Sequence, residues 1–183
     1  MRASGYVRVT DDWYCEDSQI VHALLQAEPT LFDGTIWDPA CGRGNIPKTV
    51  VAAGGRAVAS DVADRGYGLC GQDFLATYSR PELVSHIVTN PPYGIIQEFI
   101  EHALTLVPGK VCVLARLAFL EGLKRRPWFE EKPLARVWVS SRRVSMPPGG
   151  TDVKARGGTV AYAWFVFDSN HPSAEKPTLG WVA

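Results

Sequence analysis

Two short apolar runs in this chain each break off into a loop of glycine, proline and small polar residues. A helical pattern follows each loop. Residues 34–37 lead into Asp38-Pro39-Ala40-Cys41-Gly42-Arg43-Gly44-Asn45, and residues 83–89 lead into Asn90-Pro91-Pro92-Tyr93. Strand, loop and helix repeated in this way restrict the topology, because parallel strands need a crossover between them and a helix commonly supplies it. In an open α/β sheet, ligands collect at the carboxyl ends of the strands. Both loops belong at that end.

The other elements extend the same pattern. Asp17 or Ser18 can cap a helix whose apolar positions Ile20, Val21, Leu24 and Leu25 recur at helical spacing, and Pro29 closes it. A helix from about 46 to 53 tolerates Pro47 in its first turn. Residues 57–61 read as a second buried strand with Asp61 at its tip, followed by a loop carrying Gly66, Gly68, Gly71 and Asp73-Phe74-Leu75. Ile95, Phe99, Ala103 and Leu106 mark one face of a helix stopped by Pro108-Gly109. Residues 111–115, 135–139 and 159–167 read as further strands, with a basic helical segment at 124–126 and a turn-rich loop at 146–158. The last two strands have no helix between them. The expectation is therefore one α/β domain over residues 1–183, with a mostly parallel sheet, one antiparallel strand near its edge and helices on both faces.

Composition narrows the class. Apolar residues make up 46% and charged residues 21%, ordinary for a globular protein. The N-terminus lacks a signal-peptide pattern and no apolar run is long enough for a membrane span, so a cytoplasmic protein is expected. Cys15, Cys41, Cys70 and Cys112 have neither metal-ligand spacing nor disulfide density, so no metal is expected. The net charge is zero but unevenly distributed. Residues 1–109 hold 7 Lys and Arg against 13 Asp and Glu, whereas residues 110–158 hold 11 against 4. Such asymmetry suits a polyanionic partner on one face.

The loops carry the chemistry. Asp38 to Gly44 is a strand-to-helix turn whose glycines allow the backbone to approach a ligand closely. Asp61, one strand further on, can accept from a ribose diol. Asp73 can accept from an exocyclic amine such as that of adenine. The same residues would also serve as a tight turn, a helix cap and an Asx-turn. Asn90-Pro91-Pro92-Tyr93 is more specific, because a prolyl-prolyl turn donates no backbone hydrogen bonds and leaves its carbonyls as acceptors. The Asn90 side-chain oxygen and the Pro91 carbonyl can both accept from one amino group. That favours tetrahedral nitrogen with its lone pair free, while the Tyr93 ring offers a stacking surface.

These motifs resemble those of class I S-adenosylmethionine-dependent methyltransferases, in particular the amino-group DNA methyltransferases acting on adenine N6. Asp38 to Asn45 is similar to that family's cofactor loop and Asn90 to Tyr93 to its catalytic tetrapeptide. Residues 114–122 resemble a segment of small phage and prophage members. The resemblance spans roughly residues 13–168. It implies a Rossmann-like fold with a seven-stranded sheet and S-adenosylmethionine as cofactor. It implies cofactor contacts from Asp38, Pro39, Ala40, Cys41, Gly42, Gly44, Asp61, Asp73, Phe74 and Asn90, with Phe99 either closing over the adenine or packing in the core. It implies catalytic roles for Asn90, Pro91, Pro92 and Tyr93.

The chain departs from the family at two points. Glu16-Asp17 stands where the family often has Thr-Pro, and about fifteen residues follow the last strand, too few for a target-recognition domain. Recognition would then fall to Lys124, Arg125, Arg126, Arg142, Arg143, Lys154 and Arg156 against phosphates, or to a protein partner or second copy. A paired base would have to be flipped out or presented in a single strand. Trp128, Trp138 and Trp164 read as core or sheet residues. The tetrapeptide equally suits RNA adenine or protein glutamine as substrate, and cytosine N4 presents the same amine. A silent S-adenosylmethionine-binding subunit would not need it. A nicotinamide dehydrogenase is disfavoured by the missing third glycine of its fingerprint.

Overall fold

The computed structural model describes residues 14–147, 158, 160–172 and 175–183. Among the described residues seven strands form one sheet: β1 (Thr35–Asp38), β2 (Arg56–Ala59), β3 (Val84–Thr89), β4 (Lys110–Arg116), β5 (Leu134–Ser140), β6 (Tyr162–Asp168) and β7 (Thr178–Val182), in the spatial order β2-β1-β3-β4-β6-β5-β7. Six strands run one way. Only β6 is reversed, pairing antiparallel with β4 on one side and β5 on the other. It is the third strand from one edge of the sheet, with β5 and then β7, which pairs parallel with β5, beyond it.

Helices cover both faces. The first, α1 (Ser18–Ala27), is capped by Asp17, whose carboxylate accepts from the Gln19 amide at 3.0 Å. It packs with α2 (Asn45–Ala52) over the face that holds Ile36, Val88, Leu114 and the fully buried Trp164. The opposite face holds Ile87, Val113, Phe165 and Phe167 under α3 (Ile96–Leu106), with Trp128 and Phe129 of α4 (Arg125–Glu131) packed against it. The alternation of side chains along each strand supplies both cores. Trp164 and Trp138 are sheet residues and Trp128 packs on Phe119, as the sequence suggested.

Two expectations need correction. The strand expected at 57–61 is β2, and it is partly exposed instead of buried because it lies at the edge of the sheet. Its free side is met by the glycine-rich loop, where the Leu69 amide donates to Ala59 O and the Asp61 amide to Leu69 O, both at 3.0 Å. The second is β7, in a stretch where no strand was expected.

Candidate active site

The tips of β1, β2 and β3 meet at the carboxyl end of the parallel strands, and one cavity of about 420 Å³ opens there. Its wall includes Pro39, Ala40, Asp61, Asp73, Phe74, Asn90, Pro92 and Phe99, all drawn from the residues the sequence singled out. Val62, Ala63, Arg65, Gln72, Leu75 and Ile95 complete it; of these Ile95 was read only as part of a helix face and Leu75 only as a neighbour of Asp73 and Phe74. Phe99 is buried in the core and also reaches the wall, so the two alternatives for it coexist.

The loop after β1 is held from behind. Asp38 is buried and its Oδ1 accepts from the Ala40 amide at 3.2 Å. The Cys41 amide donates to Ser60 O at 3.0 Å, tying the loop to the β2 tip. Gly44 precedes α2 at φ +80°, and a Cβ there would meet the Tyr67 ring at 2.3 Å. Tyr67 therefore covers the loop through a position only glycine can occupy, a contact the sequence did not reveal. Asp61 is engaged in two directions: Oδ2 accepts from the Gly42 amide at 2.9 Å, and Oδ1 from the Ala63 amide at 2.9 Å and Arg65 Nε at 3.3 Å. Asp73 caps the short turn Phe74–Ala76 through the Leu75 amide, while its side of that turn faces the cavity.

Electrostatics follow from burial. Glu16, Asp38 and Asp61 are all buried near this loop. Desolvation, with Glu16 nearby, pushes the Asp38 carboxyl well above its ordinary value, and desolvation likewise raises Glu16. Burial beside Asp38 and Asp61 pushes the Cys41 thiol up to about 12.

The turn after β3 is oriented by an element the sequence treated as a departure. Asn90 Nδ2 donates to Tyr14 O at 3.1 Å and to Glu16 Oε2 at 3.0 Å, and Asn90 Oδ1 accepts from the Tyr93 hydroxyl at 3.1 Å. The rings of Tyr14 and Tyr93 are nearly parallel, 11° apart, with centroids 6.4 Å apart. The Arg116 guanidinium, at the end of β4, lies 5.4 Å from the Tyr93 ring centroid.

The basic residues are more dispersed. Arg125 donates to Ala118 O and Glu121 O and lies over the Phe119 ring, while Arg126 pairs with Glu130 on the surface. Lys124, Arg142 and Arg143 are exposed, with Arg142 donating to Gln19 Oε1 and Arg143 to Gly158 O. Lys154 and Arg156 lie outside the described residues. Among the described residues there is no group of His, Cys, Asp or Glu arranged to hold a metal, and no helix long and apolar enough to cross a membrane.

No protein-family model and no curated protein matches the sequence. Solved structures do match the fold. A protein from Pyrococcus horikoshii assigned as an RNA methyltransferase aligns over 92% of both chains, with a TM-score of 0.64 at 12% identity. A Listeria monocytogenes protein assigned as a class I S-adenosylmethionine-dependent methyltransferase aligns over 97% of this chain and 68% of its own, with a TM-score of 0.64 at 16% identity. The chain shares their fold. The M protein of the EcoKI type I restriction enzyme also aligns, over 87% of this chain and 44% of its own, with a TM-score of 0.56 at 14% identity. At such identities it is the Rossmann-like methyltransferase fold that is common to them.

Proposed function

We propose that the chain transfers a methyl group from S-adenosylmethionine to an exocyclic amine, adenine N6 in DNA being the substrate. The observation that carries this reading is that Asn90, an acceptor on a turn without backbone donors, opens onto the same cavity as Asp61 and Asp73. The residues present fit the cofactor. Its cationic groups suit a cavity whose wall carries the carboxylates of Asp61 and Asp73. Phe74, Ile95 and Val62 offer apolar walls for adenine, Asp73 an acceptor for its amine, and Asp61 an acceptor for the ribose. When bound, the cofactor supplies an electrophilic methyl group.

The chain's own residues do the rest. Asn90 Oδ1 and the Pro91 carbonyl accept from the target amine and aim its lone pair, and Tyr93 stacks on the planar ring. The oriented lone pair would take up the methyl group that the bound cofactor would supply, the carbon–sulfur electron pair would stay with sulfur, and the surplus proton on nitrogen would pass to water. Strong general base catalysis is not required before attack.

The test offers methyl-labelled cofactor with duplex DNA, single-stranded DNA, ribosomal RNA and a protein extract, with product analysis by mass spectrometry. The expected product is N6-methyladenine in DNA. Asn90→Ala should lower transfer by about 100-fold or more while cofactor affinity stays within a few-fold. Label in RNA or protein, or at cytosine N4, would reject the proposed substrate. Cofactor binding without transfer to any of them would reject catalysis and support a silent subunit.

A further inference from the structure

The Asn90 amide has one orientation that its surroundings accept. Tyr14 O and Glu16 Oε2 both stand against Nδ2, and turning the amide over would set Oδ1 against a carbonyl and a carboxyl oxygen. On the other side the Tyr93 hydroxyl donates to Oδ1 and leaves that oxygen one further lone pair. This is the atom that must accept from the target amine if the function proposed above holds. We propose that Glu16 is a positioning residue, whose carboxyl oxygen holds the Asn90 amide with its oxygen turned towards the transferring amine. The inference rests on that functional reading, and it gives a role to a residue outside both the Asp38–Asn45 loop and the Asn90–Tyr93 turn.

The strap carrying Glu16 is itself fixed. The Cys15 amide donates to Pro147 O at 3.0 Å, and Asn45 Nδ2 donates to Glu16 O at 2.9 Å. One short segment thus bridges the start of α2, behind the cofactor loop, and the turn after β3. Tyr14 contributes a backbone oxygen, which substitution does not remove, so on the Nδ2 side of the amide the side-chain contribution falls to Glu16. Glu16 is buried; desolvation raises its carboxyl while the hydrogen bond from Asn90 lowers it, and glutamine is its uncharged counterpart of the same shape. Glutamine keeps an oxygen acceptor at that place, whereas leucine keeps the bulk and loses the acceptor.

The experiment compares Glu16→Gln and Glu16→Leu with the unaltered chain by three readouts: cofactor Kd, single-turnover transfer rate, and the Asn90 side-chain NH₂ signals. Asparagine labelling with nitrogen-15 leaves only Asn45, Asn90 and Asn170 to resolve. The leucine variant should transfer about 10- to 100-fold more slowly, with cofactor Kd changed by less than about threefold and the Asn90 NH₂ signals displaced. Glutamine should restore the rate to within about threefold and leave those signals near their original place. Equal loss in both variants, or an undisturbed Asn90 signal in the leucine variant, would overturn the proposal. If the unaltered chain methylates nothing, the functional reading fails on its own, and the NH₂ signals still decide whether Glu16 sets the amide. Should the leucine variant not fold, Glu16→Met removes the acceptor with a more pliant side chain.

Discussion

Asp38 illustrates the tension at single positions in this site. Folding raises its affinity for a proton, through desolvation first and the nearby Glu16 second. The native state therefore keeps that proton where the unfolded chain, with an ordinary value of 3.8, has lost it. Stability from this group is greatest below that value and declines as pH rises towards the folded one, so at neutral pH Asp38 opposes folding. Asp38→Asn keeps an oxygen for the Ala40 amide and removes the charge. It should raise Tm in the absence of cofactor, at roughly 2–4 °C for each kcal/mol recovered, and weaken cofactor binding. Thermal melts with and without S-adenosylmethionine check both, and a lowered Tm would refute the sign. Cys41 allows a second check. With its thiol raised to about 12 and its side chain buried, it should resist alkylation at pH 8, while the exposed Cys70 reacts. Peptide mass mapping after a short iodoacetamide pulse separates the two. Pro39, Ala40, Asp61, Asp73, Phe74, Asn90 and Pro92 of the cavity wall were legible because strand tips and turn chemistry mark them in sequence. Glu16 and Tyr14 were not, since their contacts with Asn90 cross more than seventy residues and leave no local pattern.

At the scale of elements, the strands most plainly written were those covered on both faces. Strand β4 and strand β6 are continuous apolar runs because the sheet is covered on both sides there. Strand β2 carries the same kind of residues, yet edge position leaves it half open, and position in a sheet is not encoded in the strand itself. Strand β7 was hidden for a different reason. Gly180 interrupts it, and it is tolerated because a Cβ there would run into the Trp138 ring at 2.2 Å. Another feature invisible in sequence joins elements at the opposite end of the sheet from the cavity. Glu28, at the end of α1, accepts from Lys110 of β4, Arg136 of β5 and Trp138 of β5. Burial by itself would raise its carboxyl, but these donors outweigh burial and hold it below the ordinary 4.5. Its contribution is complete above pH 4.5 and is lost as pH falls through the lower, folded value. Glu28→Ala would leave Lys110 with Thr30 and Arg136 with Asp168 as partners in a partly buried place, a loss of about 3 kcal/mol. A Tm lower by on the order of 10 °C is expected. An unchanged melt would mean that water compensates the two cations.

For the whole molecule, the distribution of charge matters more than its zero sum. The surplus of cations in residues 110–158 belongs to the half of the chain that follows the candidate catalytic turn. The described members of the basic set do not act alike. Arg125 is engaged by Ala118 O, Glu121 O and the Phe119 ring, so it braces the segment after β4. Lys124, Arg142 and Arg143 are exposed, and among the described residues the two arginines donate to the neutral acceptors Gln19 Oε1 and Gly158 O, hydrogen bonds that leave their charge uncompensated. If this surface takes the phosphates of the substrate, replacing those three with alanine should weaken duplex binding across all sequences. The salt dependence should fall by about 0.9 in log–log slope for each phosphate that is no longer neutralised. Cofactor affinity should be untouched, because none of the three lines the cavity. Arg125→Ala should behave differently, lowering Tm because the stem no longer packs and two carbonyls lose their donor. Anisotropy titrations with a labelled duplex between about 50 and 200 mM salt distinguish these cases. A triple variant with an unaltered slope would remove this face from the interface and leave the charge asymmetry without a role in substrate binding.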